Sequence, residues 1–157
     1  MKTALKEAQK SFLDDEVPIG AVIVKDGRVV SRAHNTRNKT QNAINHAEIL
    51  AISKACKKQK SWRLEDCDIY VTLEPCPMCA GAILNARIKN LYFGAYDKTS
   101  KTNLLEAIMQ DDRLNHKTQV VGGILQEECA KLLTDFFVAK RNSKKWLYNM
   151  NCNRCFC

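Results

Sequence analysis

The chain predicts an α/β layered domain, with helices covering a sheet. Three observations lead there. Apolar, β-rich runs alternate with segments of helical period along the whole length. At 157 residues the chain suits one domain with one core. Hydrophobic residues make up 45% of it, enough for a packed globule.

The elements follow in order. Residues 4–13 read as an amphipathic helix with Leu5, Ala8 and Phe12 on one face. Pro18 to Val24 is nearly all apolar and reads as a central strand. Lys25-Asp26-Gly27 turns the chain, and Arg28 to Ala33 returns as the second arm of a hairpin. Residues 34–44 are polar and read as a loop. A helix starts near His46, with Ile49, Ile52, Ser53 and Cys56 on one stripe. Cys67 to Leu73 is a third strand. Pro75 breaks the chain, and a helix follows from about Cys76 to Ala86. Asn90 to Ala95 is a fourth strand and Gln119 to Val121 a short fifth. Gln126 to Arg141 is a last helix, with Ala130, Leu133, Phe136 and Phe137 inward. The expected division is a domain over 1–142 and a basic, Cys-containing, flexible tail over 143–157.

Composition bounds the function. No apolar run approaches the ~18 residues of a membrane span. The start, Met1 to Glu7, is polar, so the expected address is the cytoplasm. There are eight cysteines; in a reducing compartment a Cys-x-x-Cys pair reads as metal or redox chemistry, and Cys56, Cys67 and Cys129 read as small buried hydrophobes. Net charge is +8, from 25 basic and 17 acidic residues, and Lys140, Arg141, Lys144, Lys145 and Arg154 follow the last acid, Asp135. A polyanionic partner is the natural inference from that surplus.

One constellation carries chemistry: His46-Ala47-Glu48, then Pro75-Cys76-Pro77-Met78-Cys79. Zinc prefers tetrahedral N/S donors, and catalytic sites supply three protein ligands and keep the fourth position open. His46, Cys76 and Cys79 make such a set. Cys76 and Cys79 are three apart at a helix start, so both sulfurs share one face, and a helix N-terminus favours thiolate. Pro77 is tolerated in a first helical turn. Glu48, two residues from His46, points away from the ligand nitrogen and is free to move protons. A closed Cys₃His or Cys₄ structural site would need a fourth ligand from Cys67 or the tail cysteines, and would have no use for Glu48.

These residues resemble the cytidine-deaminase-like superfamily and, within it, the bacterial tRNA-specific adenosine deaminases. The similarity runs from about Leu5 to Arg141. It is carried by Glu16 to Val22, Asn35, His46 to Ile49, Thr72 to Ala82, Phe93-Gly94-Ala95 with Asp97, Asn115-His116, Gly123-Ile124-Leu125 and Glu128-Cys129. The resemblance implies a three-layer α/β/α fold on a mixed five-stranded sheet. It implies hydrolytic deamination of adenosine to inosine at the wobble position of a tRNA anticodon. It also implies a homodimer with one zinc per subunit on His46, Cys76 and Cys79. Glu48 would shuttle the proton, Asn35 would bond the target base, the Ala47 backbone would line the pocket, and Asp97 would lie near flanking RNA. Residues 98–103 depart from the family's Gly-rich run.

Other residues have plainer readings. His34 and His116 read as loop or surface histidines, and Trp62 and Trp146 as core or interface packing rather than stacking platforms. Lys57, Lys58 and Lys60 would hold phosphates of an anticodon stem-loop. Two other functions fit less well: a free-base deaminase for guanine or cytosine, and a nucleic-acid-binding module that uses zinc only to fold.

Overall fold

The computed structural model describes residues 1–97 and 104–152, with side chains to Ser143. Six helices and five strands follow in the order α1 (Lys2–Leu13), β1 (Gly20–Lys25), β2 (Arg28–His34), α2 (Arg37–Thr40), α3 (Ala47–Gln59), β3 (Cys67–Leu73), α4 (Pro77–Asn85), β4 (Asn90–Ala95), α5 (Leu104–Met109), β5 (Gln119–Val121) and α6 (Gln126–Cys152). The sheet order is β2-β1-β3-β4-β5. β1 pairs antiparallel with β2 and β3, whereas β3, β4 and β5 run parallel. Parallel neighbours need a crossover, and α4 and α5 supply the two that the right half of the sheet requires. The result is a mixed sheet between two helical layers, the cytidine-deaminase-like α/β fold.

The layers form because alternate strand residues face opposite ways. Ala21, Ile23, Ile69, Val71, Leu91 and Phe93 face α3 and α4, where Ala47, Ala51, Ala55, Ala80 and Ile83 complete the main core. The other face carries α1 and α6, joined by an edge-on contact of Phe12 with Phe136 at 5.6 Å. Two glycines allow close approach on that face. A Cβ on Gly20 would lie 2.1 Å from the Ala4 carbonyl oxygen of α1, and one on Gly94 would lie 2.3 Å from Cys129 Sγ of α6.

Strands β3, β4 and β5 match their expected bounds, but several helical readings change. The buried face of α1 is Ala4, Glu7, Ala8 and Ser11; Leu5 and Phe12 flank it, because Gly20 admits only a small-residue helix face. In α3 the buried stripe is Ala47, Glu48, Ala51 and Ala55, with Ile49, Ile52 and Cys56 at its border and Ser53 exposed. In α6, Cys129 and Phe136 are buried while Phe137 faces solvent. A one-turn helix, α2, stands inside the expected loop 34–44, and α5 had no periodic signal strong enough to read. α6 does not stop at Arg141: the next residues hold neither Gly nor Pro, and the backbone stays helical to Cys152. The loop 98–103, Cys155 and Cys157, and the side chains of Trp146 and Cys152, lie outside the described residues.

Four helices end on a left-handed residue other than glycine. Asp15, Gln41, Lys60 and Arg87 take φ of 62°, 50°, 53° and 61°. In each case the next residue donates back across the last turn: Glu16 to Ser11, Asn42 to Arg37, Ser61 to Cys56 and Ile88 to Ile83, at 2.9, 3.1, 3.1 and 3.2 Å. This is Schellman closure, normally served by Gly.

Gly20→Ala should cost about 3 kcal/mol, because the new methyl meets backbone rather than a yielding side chain. A thermal melt should show a drop of roughly 6–12 °C. An unchanged melting temperature would mean that α1 is free to move off β1.

Candidate active site

Two helices begin at the same place. His46 is the N-cap of α3, with φ −74° and ψ 152°; Cys76 is the N-cap of α4, with φ −70° and ψ 166°. Extended N-cap backbone aims a side chain across the helix mouth, and neither residue spends its side chain on a capping bond. Cys79 follows at the third position of α4, behind Pro77. The side chains meet: His46 Nδ1 lies 3.7 Å from Cys76 Sγ and 3.5 Å from Cys79 Sγ. The three donor atoms all lie within 4.8 Å of one another. For a tetrahedral ion with zinc-like bond lengths the N to S edge is about 3.6 Å. The donor set and its spacing therefore fit zinc.

Protonation within the cluster supports the same fit. Bonds from Cys79 and then His46 pull the Cys76 thiol down to about 4. The Cys76 sulfur, followed by burial and Glu48, drives the Cys79 thiol well above its ordinary range. The His46 imidazole is raised, first by its bond to Cys76. The two sulfurs therefore oppose each other's ionisation. A divalent cation among these donors would permit both sulfurs to ionise.

Glu48 sits in the first turn of α3, 3% exposed. Burial raises its carboxyl above the usual carboxylate range. Among the described residues, its Oε2 is the one buried side-chain oxygen or nitrogen without a hydrogen-bond partner. Such an orphan is costly and calls for a partner from outside the fold. No other Cys, His, Asp or Glu among the described residues completes the ligand group. Cys67 opens β3, at the far end of that strand from Cys76, so it cannot serve as the fourth ligand.

Asn35 follows β2 and is buried. Its Oδ1 accepts a hydrogen bond from the Ala47 N–H at 2.9 Å. That donor identifies the oxygen, so the amide Nδ2 is turned the other way. Ala47 lies between His46 and Glu48, and this one bond ties Asn35 to both. Asp97 follows β4; its N–H donates to Glu74 Oε2 at 3.0 Å. Asp97, Glu74, Pro75, Cys76, Pro77, Leu104 and Leu105 line a shallow pocket of about 60 Å³ beside the cluster. Glu74 was not singled out from the sequence, although it stands directly before Pro75.

The remaining expectations resolve outside the cluster. His34 Nδ1 is 3.2 Å from Glu7 Oε2, and His116 Nε2 is 3.0 Å from the Ile88 carbonyl, so neither joins the ligands. Cys67 and Cys129 are buried and Cys56 half-buried. Trp62 is 57% exposed, with Arg63 over its ring, so it is not core packing.

Known proteins resemble this chain in sequence and fold. A profile of the MafB19-like deaminase family matches residues 1–141, and the chain belongs to that family. Within it, the chain groups with bacterial proteins named tRNA-specific adenosine deaminase. The one from Bacillus subtilis is 49% identical, covering 92% of this chain and 91% of its own. The one from Aquifex aeolicus is 41% identical, covering 91% and 95%. A structure solved in a study of A-to-I editing by tRNA:A34 deaminases at the wobble position of transfer RNA superposes with a TM-score of 0.78. It is 42% identical and covers 84% of this chain and 96% of its own. A guanine deaminase from Nitrosomonas europaea, 22% identical with a TM-score of 0.74, covering 86% and 81%, shares the fold.

Asn35→Ala would leave the Ala47 N–H buried and unpaired. The expected cost is about 1–3 kcal/mol in urea unfolding. An unaltered urea midpoint would show that this bond does not hold α3 to β2.

Proposed function

We propose that the protein is a zinc-dependent hydrolase that deaminates adenosine to inosine at the wobble position of a tRNA anticodon. The observation that carries this is the buried, unpartnered Glu48 Oε2 beside a His-Cys-Cys donor set. The tRNA-specific names of relatives at 41–49% identity support the substrate. His46, Cys76 and Cys79 would hold one zinc per subunit. Zinc at such a site supplies a Lewis-acidic centre that makes water a nucleophile near neutral pH.

Glu48 does the proton work. Its raised carboxyl suits an acid and base in turn. Oε2 takes a proton from the attacking water and delivers it to a ring nitrogen, which makes the amine-bearing carbon electrophilic. Glu48 then takes the second proton, from the newly added hydroxyl, and passes it to the departing amine as the C=O forms and the C–N bond breaks. Water and adenosine go in; inosine and ammonia come out. Asn35, with Oδ1 engaged by Ala47, presents Nδ2 to an acceptor on the base. Ala47 contributes through that same bond. Asp97 would meet RNA next to the target nucleotide. A base in an anticodon loop is already unpaired, so drawing it into the pocket costs less than flipping it from a duplex.

The exposed Lys57 and Lys60, with the net charge of +8, suit phosphate contacts that position the RNA without reading its sequence. No described helix is long and apolar enough to cross a membrane. A cytoplasmic homodimer completes the proposal.

An anticodon stem-loop carrying adenosine should gain about one dalton on incubation with the protein, as NH is replaced by O. Ammonia released from guanine or cytosine in parallel, with no mass change in the RNA, would reassign the enzyme to free bases. Glu48→Ala should keep its zinc, measured by metal analysis, and lose about 10³-fold or more in turnover. Full turnover in that variant would remove Glu48 from the mechanism.

A further inference from the structure

Glu16 is 1% exposed, more deeply buried than any other acid among the described residues. The proposed reaction does not use it. Its position follows from the end of α1. Asp15 takes the left-handed conformation, Glu16 N–H closes back on the Ser11 carbonyl at 2.9 Å, and the side chain is carried inward. There Oε1 accepts the backbone N–H of Lys39 at 2.7 Å.

Lys39 is the third residue of α2, and the N-cap of that helix, Thr36, makes no side-chain capping bond. Glu16 therefore caps α2 from a distant part of the chain, its side-chain oxygen taking one of the N–H groups that a helix start leaves unpaired. Helix α2 opens the segment 36–45, whose ends are drawn together by the Thr36 N–H bond to the Asn45 carbonyl at 3.2 Å. Asn45 Nδ2 also donates to Thr40 Oγ1 at 2.8 Å. Asn35 stands just before this closed loop and His46 just after it. A second anchor comes from the same side: Ser11 Oγ, fully buried, donates to the Asn35 carbonyl at 3.0 Å.

We propose that Glu16 is a positioning residue for the base pocket: by capping α2 through Lys39 it fixes segment 36–45, and with it the placement of Asn35 against Ala47. Ser11 is the second point of the same clamp. The inference rests on the reading of Asn35 as a base contact. Small misplacements of a contact that holds the base weaken substrate binding out of proportion to the stability involved.

The test uses the zinc-loaded protein and an adenosine-bearing anticodon stem-loop. Glu16→Ala should raise KM by roughly 10–100-fold, with zinc content unchanged and kcat at saturation little altered. Hydrogen exchange of backbone amides in 36–45 should quicken. Glu16→Gln, whose Oε1 still accepts the Lys39 N–H, should restore most of the loss. In an Asn35→Ala background, Glu16→Ala should add little, since coupled sites do not add. Ser11→Ala is a milder lesion of the clamp, should move KM the same way, and serves if Glu16→Ala does not fold. An unmoved KM in folded, zinc-loaded Glu16→Ala or Ser11→Ala overturns the proposal, as does a fully additive loss on Asn35→Ala. If Asn35→Ala deaminates with an unmoved KM, the reading of Asn35 falls and this inference falls with it, while the deaminase assignment stands.

Discussion

Everything in this fold depends on how closely its helices can lie on the sheet. The faces in contact are built from the smallest residues. Ala47, Ala51 and Ala55 of α3 sit over Ala21 and Ala33; Gly20 receives α1, and Gly94 receives α6. A β-branched residue at these points would push a helix away from the sheet. The consequence reaches the chemistry directly. With α3 seated low on β1 and β2, its N-cap imidazole comes within 3.7 Å of sulfurs that α4 delivers from the end of β3. Larger residues at the border, Ile49 and Ile52, then cover the edges of the layer rather than its centre.

The same geometry concentrates unfavourable electrostatics at one point. Two cysteines and a glutamate stand together with a single imidazole, and the glutamate is almost fully buried. The surrounding fold does little to relieve them: Glu48 Oε2 has no partner among the described residues. Two helix N-termini partly offset the cost through their dipoles. A divalent cation and a substrate with proton-accepting nitrogens would offset the rest.

Much of this was legible along the chain. The β-rich runs marked β3, β4 and β5 at their observed bounds, because branched and aromatic residues between turn-forming segments favour an extended chain. Cys76 and Cys79 were visible by their spacing of three, which puts both on one helix face, and His46 and Glu48 by the His-x-Glu pattern that accompanies such a pair. The faces of α1 and α3 were misread. Large apolar residues drew attention to Leu5, Ile49 and Ile52, whereas the contacts are made by alanines, whose pattern is weak on any hydropathy scale. The helix ends at Asp15, Lys60 and Arg87 carried no glycine to announce them. The short α2 owes its cap to Glu16, a long way off in sequence, and no local rule could have found it.

The sequence by itself therefore determined the His-Cys-Cys motif, the glutamate beside it and the alternation of strands and helices, because each depends on residue type and on local spacing. Only the tertiary structure decided which alanine faces meet, that Asn35 Oδ1 is taken by the Ala47 N–H, and that Glu16 and Ser11 hold the loop between Asn35 and His46. Those are contacts between elements. Their partners are chosen by how the layers stack, and a linear pattern holds no record of distance across a fold.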